Sequence, residues 1–179
     1  RDAEYFRWIK GLSSRYRRCQ IKAAISVNRE MLGFYWSLGR DICTLHAKSQ
    51  WGSGFYKSLS RDLQREIPNA KGFSQWNLLY MKQFYEMFPE QVAFAPQLDA
   101  QMDGNSTGVY THQPDAQSNH GQSASSNLSL ARELATMPWG HIKLLCDKCK
   151  NDRSKAEFYI HETVQNGWSR ALLLNHMDS

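Results

Sequence analysis

The sequence VNREMLGFYWSLGRDI, residues 27–42, is the stretch that decides the fold class. Its apolar side chains surround most of a helix instead of forming one stripe, which predicts burial on several sides. It belongs to a longer segment, residues 2–47, that contains no proline and repeats apolar residues every three or four positions. The repeated residues are Tyr5, Ile9, Leu12, Tyr16, Cys19, Ala23 and Val27. We therefore predict one long helix, or two helices in line.

The predicted helix is too long for a compact domain of this size. At about 1.5 Å per residue it would span roughly 70 Å, more than a compact domain of this size. We therefore expect either a break near Gly11 or a partner along the flank of the helix. A basic stripe lies away from the apolar series and consists of Arg15, Arg18, Lys22 and Arg29.

Two shorter helices are predicted next, on either side of a glycine-containing turn at residues 69–72. The first occupies residues 55–67 and ends before a proline. The second begins at Ser74, which suits an N-cap, and Phe73 before it can pack on Leu78 as a hydrophobic staple. Two short helices joined by such a turn are typical of a helix-turn-helix.

The remainder of the chain divides into two parts. Residues 91–128 contain no lysine or arginine and are rich in polar and small residues, which predicts a flexible insertion. Residues 129–179 regain the helical period and predict three more helices. The predicted architecture is all-α, with a long N-terminal helix and a helix-turn-helix-like lobe in residues 1–90, then the insertion, then a second, smaller helical lobe.

Charge is distributed unevenly along the 179 residues. The chain has 22 lysines and arginines and 17 aspartates and glutamates, a net charge of +5. Residues 1–89 carry 15 basic and 7 acidic side chains, whereas residues 90–179 carry 7 and 10. A basic lobe is what phosphate attraction requires, because each neutralised phosphate releases counterions. A solvated basic face without a ligand is the alternative.

Composition excludes several classes of protein. The chain is 41% hydrophobic and 22% charged, as globular proteins are. No apolar run approaches the roughly 18 residues that cross a bilayer, so no membrane partner is expected. Four cysteines without a visible secretory signal are too few for a disulfide scaffold, and they predict free thiols and a cytoplasmic location.

Neither metal binding nor catalysis is predicted. Cys146 and Cys149 form a C-x-x-C, which is half of a zinc site if His141 or His161 completes it, but no second pair exists. Two small residues one helical turn apart are the simpler interpretation. Nuclease chemistry requires clustered carboxylates, and the acidic residues here are scattered. We expect no cofactor, no metal and no catalytic residue.

Motifs in both halves of the chain resemble a known family. They are residues 27–39 with Ile42, 59–63, 72–74, 77–78, 80–81, 84–85, 138–141, 158–159 and 167–170. Together they resemble the YhcG-type bacterial proteins, whose α-helical N-terminal region precedes a nuclease domain of the PD-(D/E)XK kind. The resemblance implies a nucleic-acid-related role for this module. The family's nuclease domain would begin at Ser179, so we expect its catalytic acidic and lysine residues to lie outside this chain.

The leading hypothesis is a module that binds double-stranded DNA through a recognition helix at residues 74–88, whose first turn lies in a groove. Gln75, Trp76 and Gln83 are predicted to contact bases or sugars, and nearby cations to contact phosphates. The predicted site consists of Lys57, Arg61, Lys71, Ser74, Gln75, Trp76, Lys82 and Gln83. Trp76 has an alternative role as a lid over the core. The hypothesis requires the cations to converge around the exposed side of this helix.

A second hypothesis assigns the chain an assembly role. The long helix would pair with itself or with another protein and position the nuclease domain. Tyr35, Trp36 and Ile42 would then be buried between chains. Both hypotheses can hold in a homodimer, because dimeric helix-turn-helix proteins use their symmetry to contact two half-sites.

Overall fold

The computed structural model describes residues 3–45, 52–90, 121–150 and 152–179. Within these ranges the chain forms seven helices and no strand, which confirms the all-α prediction. They are α1 (Ala3–Thr44), α2 (Phe55–Glu66), α3 (Gln75–Met87), α4 (Gly121–Thr136), α5 (Trp139–Cys149), α6 (Arg153–Asn166) and α7 (Arg170–Met177).

The first helix, α1, is unbroken over its 42 residues, so the predicted break near Gly11 is wrong. A glycine within a helix costs only about 1 kcal/mol relative to alanine, and the residues on either side of Gly11 favour the helix. Residues 3–27 are all exposed, and full burial begins at Leu32. The first half of α1 therefore stands free of the other described helices.

The second half of α1 packs on α3, the most extensive contact between two described helices. At the crossing, a Cβ on Gly39 would lie 2.0 Å from the backbone oxygen of Met81, so the two backbones touch. Trp36 donates a hydrogen bond of 2.9 Å from Nε1 to the backbone oxygen of Phe88, where α3 ends. Side chains from both helices complete the core at this contact, namely Leu32, Tyr35, Leu78, Met81, Phe84 and Phe88.

This packing corrects the predicted interface. Tyr35, Trp36 and Ile42 are buried within the chain itself instead of between chains. The Tyr35 ring lies 4.8 Å from that of Trp139 on α5, and Ile42 packs with Phe55 of α2. A partner could contact Trp36 and Ile42 only by displacing the chain's own core.

The turn between α2 and α3 is held by side chains of α2. Ser60 donates a hydrogen bond of 2.6 Å to the backbone oxygen of Phe73, and Gln64 donates another of 3.3 Å. Gly72 has a φ of +104°, and a Cβ there would lie 3.1 Å from the Tyr35 hydroxyl, so the position requires glycine. The turn covers residues 67–74, which is longer than the three or four residues of a helix-turn-helix.

The C-terminal helices share one core with the N-terminal ones. The buried cluster that contains Leu32 and Phe84 also contains Leu134, Leu145 and Ile160. Polar contacts join the two predicted lobes as well. Asn28 donates hydrogen bonds to the backbone oxygens of Ala135 and Met137, and Arg153 pairs with Glu90 beyond the end of α3. The two lobes predicted from the sequence therefore pack as one body.

The last residues of the predicted insertion at residues 91–128 are helical. Residues 91–120 lie outside the described residues, but α4 already begins at Gly121. The buried residues Leu130 and Leu134 anchor this helix on the core. Once a helix is anchored, extending it backwards through Ser, Ala and Gln costs little, because propagation is far easier than nucleation. The division of the chain at residues 91–128 stays a prediction.

We expect Gly39→Ala to lower the free energy of unfolding by about 2–3 kcal/mol, since the new methyl group meets the backbone of α3. Gly11→Ala is the matched control in the same helix, because a Cβ there meets nothing within 4 Å. It should leave stability unchanged or raise it by about 0.5 kcal/mol. Urea denaturation followed by circular dichroism measures both. Equal stabilities of the two variants would contradict the close crossing.

Candidate nucleic-acid interface

The first turn of α3 is built as the sequence predicts. Ser74 caps the helix, its Oγ accepting a hydrogen bond of 3.2 Å from the backbone N–H of Asn77. Phe73 and Leu78 are both buried, as the staple requires. The cap determines where α3 begins, and therefore the direction in which its first exposed residues point.

Trp76 is the most exposed of the chain's large apolar side chains in the described residues, with 71% of its surface accessible. Gln75 and Ser74 beside it are also exposed. The alternative role of Trp76 as a lid over the core is therefore wrong. Its indole is therefore accessible to a ligand at the start of the helix.

The opposite face of α3 explains this exposure. Leu78, Met81 and Phe84 recur at helical spacing and are fully buried against α1 and α5. With 100° between successive residues, Trp76 lies on the other side of the helix. Gln83 is only half-buried, and its Oε1 is shielded from solvent without a hydrogen-bond partner. Gln83 is thus less accessible to a ligand than Gln75.

The predicted cations of α2 and the turn lie beside the start of α3. Lys57, Arg61 and Lys71 are all exposed. Ser60 and Gln64 hold the Phe73 carbonyl, and helical geometry places Lys57 about 20° and Arg61 about 60° from Gln64 around α2, although Arg61 is about 100° from Ser60. Arg61 has a neighbouring carboxylate, since its Nε lies 3.3 Å from Asp62 Oδ1.

Lys82 differs from the other predicted cations. Its ammonium group is paired with Glu86, and only 31% of its side chain is exposed. Burial by itself would lower the pKa of Lys82, but the hydrogen bond and charge of Glu86 raise it overall, so Lys82 stays protonated. The pair faces Cys43 at the end of α1 and Tyr56 on α2. Lys82 therefore neutralises a carboxylate between helices and is poorly placed for a phosphate.

Two cations that the sequence analysis did not select approach α3 from the C-terminal helices. The Lys143 ammonium lies 5.9 Å from the centre of the Tyr80 ring, one helical turn after Trp76. Arg170 packs over Gly140, and its charge acts on the Tyr80 hydroxyl. No local signal could reveal this, because both cations lie more than 60 residues away from Tyr80 in sequence.

Tyr80 links α3 to α5 through a strong hydrogen bond. Its hydroxyl donates to Asp147, at 2.8 and 2.9 Å from the two carboxylate oxygens. This hydrogen bond, with burial, raises the pKa of Tyr80, so the hydroxyl stays protonated and keeps donating. The contact fixes the position of α5, and hence of Lys143, relative to the exposed side of α3.

The two cysteines of the C-x-x-C are core residues. Burial raises the pKa of Cys146 to about 12 and that of Cys149 to about 11, so both thiols are neutral. The candidate histidines already have partners, with His141 Nε2 at 3.0 Å from the backbone oxygen of Trp168 and His161 Nδ1 at 2.8 Å from Glu133. The described residues contain no cluster of three metal-ligating side chains.

A concave surface lies along α1. It is an open groove of about 520 Å³ lined by Ala23, Ala24, Val27, Asn28, Met31, Leu32, Tyr35 and Trp139. Its lining is mainly apolar and carries no cation, so it offers nothing to a phosphate. None of the helices in the described ranges is long and apolar enough to cross a membrane.

Comparison with known proteins identifies one family. The family model described as the DUF1016 N-terminal domain matches residues 11–179. No curated protein and no solved structure matches the chain.

We expect Cys146 and Cys149 to resist thiol reagents in the folded protein, because a raised pKa leaves almost no reactive thiolate near neutral pH. In a Cys19→Ser background, Ellman's reagent should modify the half-buried Cys43 first and the other two only after unfolding in urea. Mass spectrometry of the labelled peptides identifies the sites. Rapid labelling of Cys146, or zinc bound in stoichiometric amount, would contradict the assignment to the core.

Proposed function

The chain belongs to the DUF1016 N-terminal domain family, and on that premise we propose that it is a nucleic-acid-binding module with α3 as its recognition helix. The likeness to YhcG-type proteins supports the proposal, because their helical region accompanies a nuclease domain. The matched family is an N-terminal domain and includes no catalytic domain, so the module itself binds without cleaving. A nuclease domain and a cytoplasmic location belong to the proposal for the full-length protein.

The observation that carries the proposal is the exposure of the first turn of α3. Ser74, Gln75 and Trp76 face solvent on a helix whose other side is locked into the core. A recognition helix contacts base edges with its N-terminal residues while the scaffold holds it rigid. Gln75 can donate and accept hydrogen bonds at a base edge, and Trp76 supplies an apolar surface for a base, a sugar or a thymine methyl group.

Cations on two sides of this turn supply the phosphate contacts. Lys57, Arg61 and Lys71 lie on the side of α2 and the turn, and Lys143 and Arg170 lie on the side of α5 and α7. Phosphate contacts on both sides of a helix fix its depth and angle in a groove, although they do not specify sequence. Lys82 is left out of this set, since Glu86 neutralises it.

Double-stranded DNA is the form of nucleic acid that we propose. The major groove of B-DNA is about 12 Å wide and admits an α-helix, whereas that of A-form RNA is too narrow for one. A single exposed tryptophan is also less than the series of stacking platforms that single strands use. The helix-turn-helix-like arrangement of α2 and α3 fits the major groove best.

Assembly is a second candidate function, and one observation favours it. The first half of α1 projects from the body of the protein and exposes large apolar side chains. Such a helix gains stability from a partner, because helices in water depend mainly on packing of their apolar face. The interface residues predicted from the sequence, Tyr35, Trp36 and Ile42, are buried, so they differ from the exposed residues of the first half of α1.

We expect Lys57→Ala with Arg61→Ala to weaken binding to a duplex of about 25 base pairs and to reduce the slope of log K against log salt by about 2. Lys155→Ala is the matched control, since Lys155 is an exposed cation on α6. It should leave the slope unchanged. Fluorescence anisotropy from about 50 to about 300 mM salt gives the slopes. Absence of binding at the lowest salt defeats the proposal.

We expect Trp76→Ala to lower the affinity for the same duplex about tenfold or more at constant salt. The slope against salt should not change, because the indole carries no charge. The fold should be unaffected, since the side chain is 71% exposed. The control is Phe158→Ala on α6, which removes another exposed aromatic ring. Equal affinities of Trp76→Ala and the unmodified chain would show that α3 is not the reading helix.

A further inference from the structure

The exposed side of α1 carries a seam of apolar residues that no described helix covers. Tyr5 is 45%, Leu12 42% and Tyr16 64% exposed, and Ile9 lies between them. Cys19 is exposed as well. Together these residues, from Tyr5 to Cys19, form one line along about four turns of helix, which is an unfavourable surface for an isolated chain in water.

The spacing of the seam is that of a coiled coil. The intervals from Tyr5 to Cys19 are four, three, four and three, so the mean repeat is about 3.5 residues and the line stays straight when two helices supercoil. In heptad notation the a positions are Ile9 and Tyr16, and the d positions are Tyr5, Leu12 and Cys19. A β-branched residue at a followed by leucine at d, as in Ile9 and Leu12, favours two strands.

The described helices of the body leave this seam uncovered. Leu32 and Gly39, through which α1 packs on the body, lie about 170° around the helix from the seam. The seam therefore faces away from the body, and a second helix can lie along it without meeting α3, α4 or α5.

We propose that the occupant of the seam is a second copy of this chain, packed parallel to the first as a two-stranded coiled coil. This inference deepens the assembly candidate and does not depend on nucleic-acid binding. The two bodies then lie at the same end of the coiled coil, on opposite sides of it, each carrying its own α3. Such a two-fold arrangement presents two recognition helices to two half-sites.

The charges beside the seam decide the orientation. Arg15 and Lys22 occupy g positions, whereas Ser13 and Gln20 occupy e positions. In a parallel pair each g residue faces an e residue of the next heptad, so Arg15 faces Gln20 of the second copy and no like charges meet. An antiparallel pair with the same seam opposes Arg15 to Arg15, which costs stability. The remaining basic residues, Arg7, Lys10, Arg17 and Arg18, occupy b, c and f positions and stay in solvent.

The area available is of the size that a dimer needs. Four aromatic side chains lie on or beside the seam, about half exposed, namely Tyr5, Phe6, Trp8 and Tyr16. With the aliphatic residues, a partner helix would remove on the order of 700 Å² per chain from water. Stable protein interfaces bury about 800 Å² per partner, so the area of the seam approaches that of a specific interface.

The test measures mass without nucleic acid, so that its outcome is independent of DNA binding. Sedimentation equilibrium of the chain up to about 200 μM should show twice the monomer mass. Leu12→Glu places two carboxylates in the seam and should yield a monomer, whereas Ser14→Glu, at an f position on the outer side, should remain dimeric. Both variants should keep the melting temperature of the unmodified chain's body, meaning the helices packed around the core, because residues 3–27 are exposed and do not contribute to that core.

Cysteine cross-linking tests the orientation. In the parallel pair the two Cys19 thiols face each other at d positions, so oxidation by copper phenanthroline removes two electrons and two protons and forms one disulfide between the chains. Cys19→Ser should dimerise but not cross-link. A monomer at every concentration, or a Leu12→Glu dimer, overturns the proposal. A dimer that does not cross-link through Cys19 overturns the parallel orientation. A chain that is monomeric but still binds DNA overturns the dimer proposal and leaves the nucleic-acid-binding proposal standing.

Discussion

The crossing of α1 and α3 is the constraint on which the rest of the structure depends. At Gly39 the backbones of the two helices touch, and Trp36 of α1 holds the carbonyl of Phe88 at the end of α3. Any side chain at residue 39 would push the helices apart and open the layer between them. The rings of Tyr35 and Phe84, which belong to this layer, both contact the ring of Trp139 on α5. The crossing of α1 and α3 therefore also positions the C-terminal helices.

A rigid α3 is what makes the exposure of Trp76 meaningful. One side of α3 is committed to α1 and α5, so its other side cannot turn inward to hide the indole. The cap at Ser74 and the glycine at 72 fix the start of the helix, and Tyr80 fixes α5 against it through Asp147. The proposed interface is thus assembled from three regions of the chain around one helix. Its cations come from two distant parts of the sequence, residues 57–71 and residues 143–170.

The two surfaces proposed here differ in chemistry and lie on different elements. The first turn of α3 is polar and flanked by cations, whereas the seam of α1 is apolar with its cations directed outward. Helix α1 connects the two surfaces, since its second half builds the core that supports α3 and its exposed first half carries the seam.

The sequence by itself determined the helical class, the boundaries at Ser74 and Pro68, and the apolar seam of α1, because N-caps, prolines and heptad spacing act over fewer than ten residues. It could not show that Tyr35, Trp36 and Ile42 pack inward, since an all-round apolar helix suits a core and an interface equally. Nor could it foresee the approach of Lys143 and Arg170. Those were decided by tertiary packing, because which neighbour a side chain meets depends on how distant helices cross.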